Sequence, residues 1–280
     1  MTDEWSAATL DLDAYLGRIG YTGPAAALEP SEPTLAALHR AHLAAIPFEN
    51  LDIMLGRGVN VDLDAIQAKL VRARRGGYCY EHGQLFGAAL ERLGFSVDRL
   101  LARVGPDDQP TRPRTHLTLR VRAGSRTWLA DVGFGSSPPG PLSLQSGGPQ
   151  ELDGWVYELA RDDAGGTIKL RELQAGDWVT LYRAEDQRVY PPDVVMSNHF
   201  TATYPESWFT WQPIVVRREP GAIRSVLGRT YTVTRPGHVK ERRELTDAEF
   251  VAALSDVFGL YFTEQELATL TAAATGPVAG

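Results

Sequence analysis

The chain has 280 residues, enough for one large domain or two to three small ones, each with its own core. Its 28 basic and 35 acidic side chains leave a formal net charge of −7, which gives no footprint for nucleic acid or an anionic membrane, and its apolar runs are too short to span a bilayer. A single cysteine excludes an intrachain disulfide and a four-cysteine zinc site and fits a reducing cytoplasm, and the acidic start Met1 to Trp5 lacks the basic-then-apolar pattern of a signal peptide.

The first third reads helical. Leu10, Leu12, Tyr15, Leu16 and Ile19 recur at roughly helical spacing and stop at Gly20. Thr34, after Pro33, is placed as the cap of a helix carrying Leu35, Leu38, Leu43 and Ile46, which Pro47 ends. A helix over residues 64–72 is broken by Arg75-Gly76-Gly77. Another runs from Cys79 to Leu93, with Leu85, Phe86, Ala89, Leu90 and Leu93 on one face and Gly94 as its stop.

The apolar period then changes from helical to two. Strands are expected over residues 100–104, 116–121, 127–131, 154–159, 168–173 and 178–182, with hairpin turns at Gly124-Ser125 and Ala164-Gly165-Gly166. Short strands in such succession point to an antiparallel barrel or sandwich. Residues 191–205, with their prolines, read as a crossover. Further strands are expected over 214–217, 223–227 and 230–234. Capping boxes at Thr246-Asp247-Ala248-Glu249 and Thr263-Glu264-Gln265-Glu266 then open two helices, the first through Phe258, before an Ala/Gly-rich tail expected to fray from Ala272.

The chemistry concentrates around Arg75-Gly76-Gly77-Tyr78-Cys79-Tyr80-Glu81-His82. The two glycines allow a tight turn that leaves the approach to the thiol uncrowded, and the helix begins at or just after Cys79. Unpaired N–H groups at a helix start favour a thiolate, but by only about 0.3–1 kcal/mol, so a nearby base is still required. Six histidines are available. His39 and His42 lie in a helix with ordinary surface or core roles. His82 sits one helical turn from Cys79 and is badly placed for in-line proton transfer. His116 opens a strand, and Asp131 ends the next. If the two strands pair through Gly124-Ser125, both residues reach the same edge of the hairpin, where the carboxylate can hold the imidazole.

Four segments, in order, resemble the signature of the arylamine N-acetyltransferases: Ile46-Pro47-Phe48-Glu49-Asn50-Leu51, Arg75-Gly76-Gly77-Tyr78-Cys79, Thr115-His116, and Leu129-Ala130-Asp131-Val132-Gly133-Phe134-Gly135. Ser197-Asn198, Thr203-Tyr204-Pro205 and Phe209 look like a further family segment. The resemblance spans about residues 10–270. It implies an α+β fold with an N-terminal helical bundle (1–94) carrying the cysteine, a central antiparallel β-barrel (95–205) carrying histidine and aspartate, and a C-terminal α/β lid (206–280). It also implies that Cys79, His116 and Asp131 match the family's catalytic triad, and that Phe48, Tyr78, Phe134 and Phe209 line the acceptor pocket. The glycine-rich Gly133-Phe134-Gly135 stretch is read as admitting coenzyme A. Arg75 and Glu49 read as an ion pair bracing the Gly-Gly turn. One departure is Gly83, where the family usually has Asn.

By resemblance the chain is a ping-pong acetyltransferase. Acetyl-CoA would acetylate Cys79, and an arylamine or hydrazine would then take the acetyl group. No metal, nucleic acid or membrane is involved, and the oligomeric state is left open. The alternatives are an amide synthase that releases or cyclises a carrier-bound polyketide with the same triad, and a cysteine hydrolase or transglutaminase.

Overall fold

The computed structural model describes residues 3–109, 111–161 and 166–275. Helix α1 (Leu12–Arg18) starts under the Asp11 carboxylate, which accepts the Ala14 N–H at 3.0 Å. Helix α2 (Glu32–Ala45) begins earlier than Thr34: Ser31 is its cap, accepting the Thr34 N–H at 3.4 Å. Pro33 falls in the first turn, where a missing N–H costs nothing, so it does not delay the start. The two-residue strand β1 (Phe48–Glu49) follows Pro47, then the short helices α3 (Leu51–Met54) and α4 (Leu63–Ile66), the latter continuing as a wide π-turn over Gln67–Arg72.

Helix α5 (Cys79–Arg92) is the centre of the molecule. Sequence periodicity gives it one apolar face, yet every residue from Cys79 to Leu90 is buried. The helix is enclosed on all sides, and its polar residues find internal partners instead of water. The Gln84 side chain accepts from Arg99 Nε at 3.0 Å, and Arg99 forks onto Glu91 at 2.7 and 3.0 Å. Strand side chains press on Gly83: a Cβ there would lie 2.8 Å from Leu117 Cδ2. A larger side chain at that position would have to displace the end of the Leu117 side chain.

Strands β2 (Ser96–Val104), β3 (Arg114–Ala123), β4 (Arg126–Ala130), β5 (Leu142–Ser143), β6 (Gln150–Leu152), β7 (Trp155–Arg161), β8 (Thr167–Gln174) and β9 (Asp177–Glu185) form one antiparallel sheet in the order β5-β4-β3-β2-β9-β8-β7-β6. The sheet curls into a nearly closed barrel. Its two edges meet through one amide: Gln150 Oε1 accepts the Ser143 N–H at 2.7 Å and Gln150 Nε2 donates to Ser143 O at 3.1 Å. The interior is filled by residues such as Leu100, Leu129, Tyr157, Leu170 and Tyr182. The expected turn at Gly124-Ser125 joins β3 to β4, with Ala123 opposite Arg126. The one expected at 164–166 lies largely outside the described residues.

The stretch read as a crossover is helix α6 (Pro191–Thr203). Its prolines occupy the first two helical positions, where they are tolerated, so the signal that argued against helix marks the start of one. The C-terminal sheet contains β10 (Ile214–Glu219), β11 (Ala222–Leu227), β12 (Thr230–Thr234) and β13 (Lys240–Glu244), and takes β1 as its first strand, in the order β1-β10-β11-β12-β13. Strand β13 was not expected: its five residues are all exposed and charged, with no apolar alternation to mark it. Helices α7 (Asp247–Asp256) and α8 (Glu264–Ala273) open under Thr246 and Thr263 as their capping boxes require. Leu51, Val215, Val226, Phe250, Leu254 and Leu270 form the core of this last layer.

Candidate active site

The residues around Cys79 come together from every part of the chain. Phe48, Tyr78, Cys79, Leu101, Leu117 and Val194 share one apolar cluster, with Phe209 and Val216 packed against it. Cys79 is the first residue of α5 and is 2% exposed. The Gly76-Gly77 turn before it has a different purpose from keeping the thiol uncrowded. A Cβ on Gly76 would sit 2.2 Å from the Pro47 carbonyl oxygen, and one on Gly77 would sit 2.7 Å from Glu81 Oε2. The glycines let the backbone close on β1, where Glu49 N–H donates to Gly77 O at 2.7 Å.

A partly buried ionic network braces this turn. Arg75 Nη2 lies 2.7 Å from Glu49 Oε1 and 3.3 Å from Asp52 Oδ1, and Lys69 Nζ lies 2.8 Å from Asp52 Oδ2 and 2.9 Å from Glu81 Oε1. The Arg75 guanidinium also covers the Phe262 ring at 4.4 Å. Glu81 completes the helix cap by accepting the Tyr78 N–H at 3.1 Å. Burial raises the Glu81 carboxyl to about 7, against the pull of Lys69.

The hairpin β3–β4 brings His116 and Asp131 together. His116 Nε2 is 2.6 Å from Asp131 Oδ2, and both side chains are buried. Tyr182 on β9 donates its hydroxyl to the same oxygen at 2.7 Å, and Gly133 N–H donates to Oδ1 at 2.9 Å. Burial disfavours the Asp131 carboxylate, but the His116 ring and these hydrogen bonds outweigh it and hold its pKa below the usual carboxylate range. Because the carboxylate only accepts, Nε2 carries the proton, leaving Nδ1 as the basic nitrogen of the ring.

The thiol lies against the backbone on both sides of His116. Cys79 Sγ–H donates to Thr115 O at 3.6 Å, and the Leu117 N–H points at the sulfur. The thiol's own proton equilibrium runs opposite to the expectation drawn from the helix start. Burial pushes the Cys79 thiol up, the Asp131 and Glu81 charges push the same way, and the Leu117 and Tyr80 N–H groups only partly oppose them. The helix start contributes less than burial removes.

Residues 33–267 match the N-acetyltransferase family. The arylamine N-acetyltransferase of Escherichia coli K12 is 36% identical over 281 residues, covering 96% of this chain and 98% of that protein. The crystal structure of the Nocardia farcinica arylamine N-acetyltransferase superposes with a TM-score of 0.88 at 38% identity, over 96% of this chain and 95% of that one. The Mycobacterium marinum arylamine N-acetyltransferase in complex with CoA superposes with a TM-score of 0.85 at 34% identity, over 94% and 98% of the two chains. The chain belongs to the arylamine N-acetyltransferase family.

Of the four aromatic residues that the resemblance assigns to the acceptor, Phe48, Tyr78 and Phe209 form one aromatic group, with Phe48–Phe209 centroids 6.0 Å apart and Tyr78–Phe209 5.5 Å apart. The Tyr78 hydroxyl bonds to Asn198 of α6. Phe134 stands apart from them, edge-on to His116 at 5.1 Å and to Tyr182 at 5.2 Å. Gly133 touches the Cys79 backbone, where a Cβ would lie 2.9 Å from the carbonyl oxygen. Gly135 adopts φ +83°, and a Cβ there would lie 3.7 Å from the Phe48 ring and from Val216 Cγ2. The sequence reading missed Tyr182. Alternation on β9 marks it as inward, but only the β2–β9 and β3–β4 registers place its hydroxyl on Asp131. Lys69 was missed as well, since a lysine late in a helix reads as a solvated residue. No group of metal-binding side chains is found among the described residues, and no described helix is long and apolar enough to cross a membrane.

Proposed function

We propose that this protein transfers the acetyl group of acetyl-CoA to an arylamine or arylhydrazine in two steps, through an acetyl-Cys79 intermediate. The observation that carries this reading is the thiol held against the Thr115 carbonyl, next to His116 in the strand, with the His116 ring fixed on Asp131. In the first step His116 takes the thiol proton, and the sulfur attacks the thioester carbonyl. The carbon–sulfur bond to CoA breaks, and CoA leaves as a thiol after His116 returns the proton. N–H groups at the start of α5 support the oxyanion. In the second step the acceptor nitrogen attacks the acetyl carbon, His116 takes the nitrogen's proton, and Cys79 is released. Asp131 holds the ring and offsets its positive charge throughout.

The aromatic group Phe48, Tyr78 and Phe209 supports a flat aromatic acceptor. An arylamine nitrogen is largely unprotonated at neutral pH and keeps a lone pair to attack with, whereas an alkyl amine is charged. The turn carrying Gly133, Phe134 and Gly135 adjoins the Cys79 backbone and is assigned to passage of the donor's pantetheine arm. The assignment divides the chain at residues 94 and 205, so that thiol, base and lid come from successive segments. A cytoplasmic location accords with a lone thiol that must stay reduced. The amide-synthase alternative has no support among the relatives described above. Chromatography of a reaction containing acetyl-CoA and an arylamine tests the reading. N-acetylarylamine is the expected product, and Cys79→Ser yields none. Free acetate as the sole product would instead identify a hydrolase.

A further inference from the structure

A buried chain of hydrogen bonds lies behind the site, and the acetyl transfer does not use it. The Tyr15 hydroxyl on α1 is 2.9 Å from His42 Nδ1 on α2. His42 Nε2 is 2.8 Å from His82 Nδ1 on α5. His82 Nε2 is 3.2 Å from the Pro47 carbonyl oxygen. Tyr15, His42 and His82 are all buried.

The direction of the chain is set from one end. A carbonyl oxygen only accepts, so His82 donates through Nε2–H. Burial keeps both rings neutral, lowering His82 to about 4 and His42 well below the ordinary histidine value. A neutral His82 then accepts at Nδ1, His42 donates from Nε2, and Tyr15 donates to His42 Nδ1. Both histidines are thereby fixed as the Nε2–H tautomer.

The chain ends beside the aromatic group assigned to the acceptor. Pro47 precedes Phe48, whose ring lies nearly parallel to the His82 ring, 13° apart in plane with centroids at 6.2 Å. Phe48 in turn meets Phe209. The His82 ring also lies against the Gly77 backbone, but the turn into Cys79 has further restraints of its own, from Glu49 N–H on Gly77 O and Glu81 on Tyr78 N–H. Phe48 leans on His82 directly.

We propose that Tyr15, His42 and His82 form a positioning relay that fixes Pro47 and Phe48, and so governs entry of the acceptor amine without governing acetylation of Cys79. The proposal rests on the acetyltransferase reading for its substrate, but the relay's geometry can be read without any activity. In a two-step enzyme, kcat/KM for acetyl-CoA reports the first step and kcat/KM for the arylamine reports the second.

His82→Leu is expected to lower kcat/KM for the arylamine about tenfold while leaving that for acetyl-CoA within about twofold. His82→Gln, whose amide donates to Pro47 and accepts from His42, recovers most of the loss. Tyr15→Phe keeps its ring, shows the same split more weakly, and carries the comparison if His82→Leu does not fold. Long-range 1H–15N spectra of the histidine-labelled wild type should show His42 and His82 as neutral Nε2–H tautomers. Equal losses in both steps, no loss in either, or a Nδ1–H or doubly protonated form of either ring at neutral pH overturns the relay. A wild-type protein that takes no acetyl group from acetyl-CoA overturns the functional reading instead, and the tautomer spectra still decide the relay.

Discussion

At Cys79 two effects oppose each other: burial disfavours a thiolate, while the proposed chemistry requires one. In the proposed mechanism the His116 ring, held by the Asp131 carboxylate at 2.6 Å, takes the thiol proton and so supplies the counter-charge that reconciles them. Iodoacetamide should therefore alkylate Cys79 at mildly acidic pH, well below the free-cysteine pKa of about 8.5. In His116→Gln the same reaction should accelerate only near or above that pH, and acetyl transfer should fall about 10²–10⁴-fold, the usual contribution of a general base. A wild-type alkylation rate that climbs only around the free-cysteine pKa would break the pairing of thiol and imidazole. The pair was legible in the sequence because a two-residue turn fixes how β3 and β4 align, which brings residues 116 and 131 to one edge. Tyr182 was not, because its hydrogen bond to Asp131 depends on a strand more than fifty residues away.

The start of α5 is an element built from close approaches and buried charge, and both make predictions. Gly76→Ala would drive a methyl group to within 2.2 Å of the Pro47 carbonyl, a backbone atom that cannot swing aside. The variant should lose about 3 kcal/mol or more of stability, the upper range of overpacking, read by urea unfolding with circular dichroism. A variant of wild-type stability would show that β1 and the Gly-Gly turn are not in contact. Glu81 supplies a pH signature. Its carboxyl sits at about 7 when folded against 4.5 for the ordinary group, so between those values the folded state holds a proton that the unfolded state has lost. Stability contributed through Glu81 is therefore present at low pH and declines as pH rises from about 4.5 to about 7. Glu81→Gln has no such proton, so wild-type stability minus variant stability should decline across that window. A difference that is flat or rises would place the Glu81 pKa at or below its ordinary value. Both effects escape a sequence reading. The glycines there look like conformational permits when they are contact sites, and a helix enclosed on every side looks amphipathic until its neighbours are known.

Across the whole molecule, strand and helix signals were legible wherever one face meets water and the other the core. They failed at β13, which has no apolar residue to alternate, and at α6, whose prolines begin a helix. The pairing of β1 with β10 was invisible too, since two residues carry no period and their partner lies about 165 positions away. Barrel closure depends on a local side-chain detail that strand periodicity also does not show, the Gln150 amide that links β5 to β6 across seven residues. Gln150→Leu removes both of its hydrogen bonds to Ser143 and should cost about 1–3 kcal/mol, at 0.5–1.5 kcal/mol for each bond, seen as a lower urea midpoint. An unchanged midpoint would mean that the barrel edges are held by packing alone.

All three scales meet in the claim that a thiol at the head of α5, a base on β3 and a carboxylate after β4 carry an acetyl group between two substrates. Intact-protein mass spectrometry after incubation with acetyl-CoA alone tests this most directly. The account predicts a mass increase of one acetyl group, located on Cys79 by peptide mapping and discharged when an arylamine is added, with N-acetylarylamine appearing in step. A protein that gains no acetyl group from acetyl-CoA, carries it on a residue other than Cys79, or keeps it in the presence of an arylamine would contradict the account.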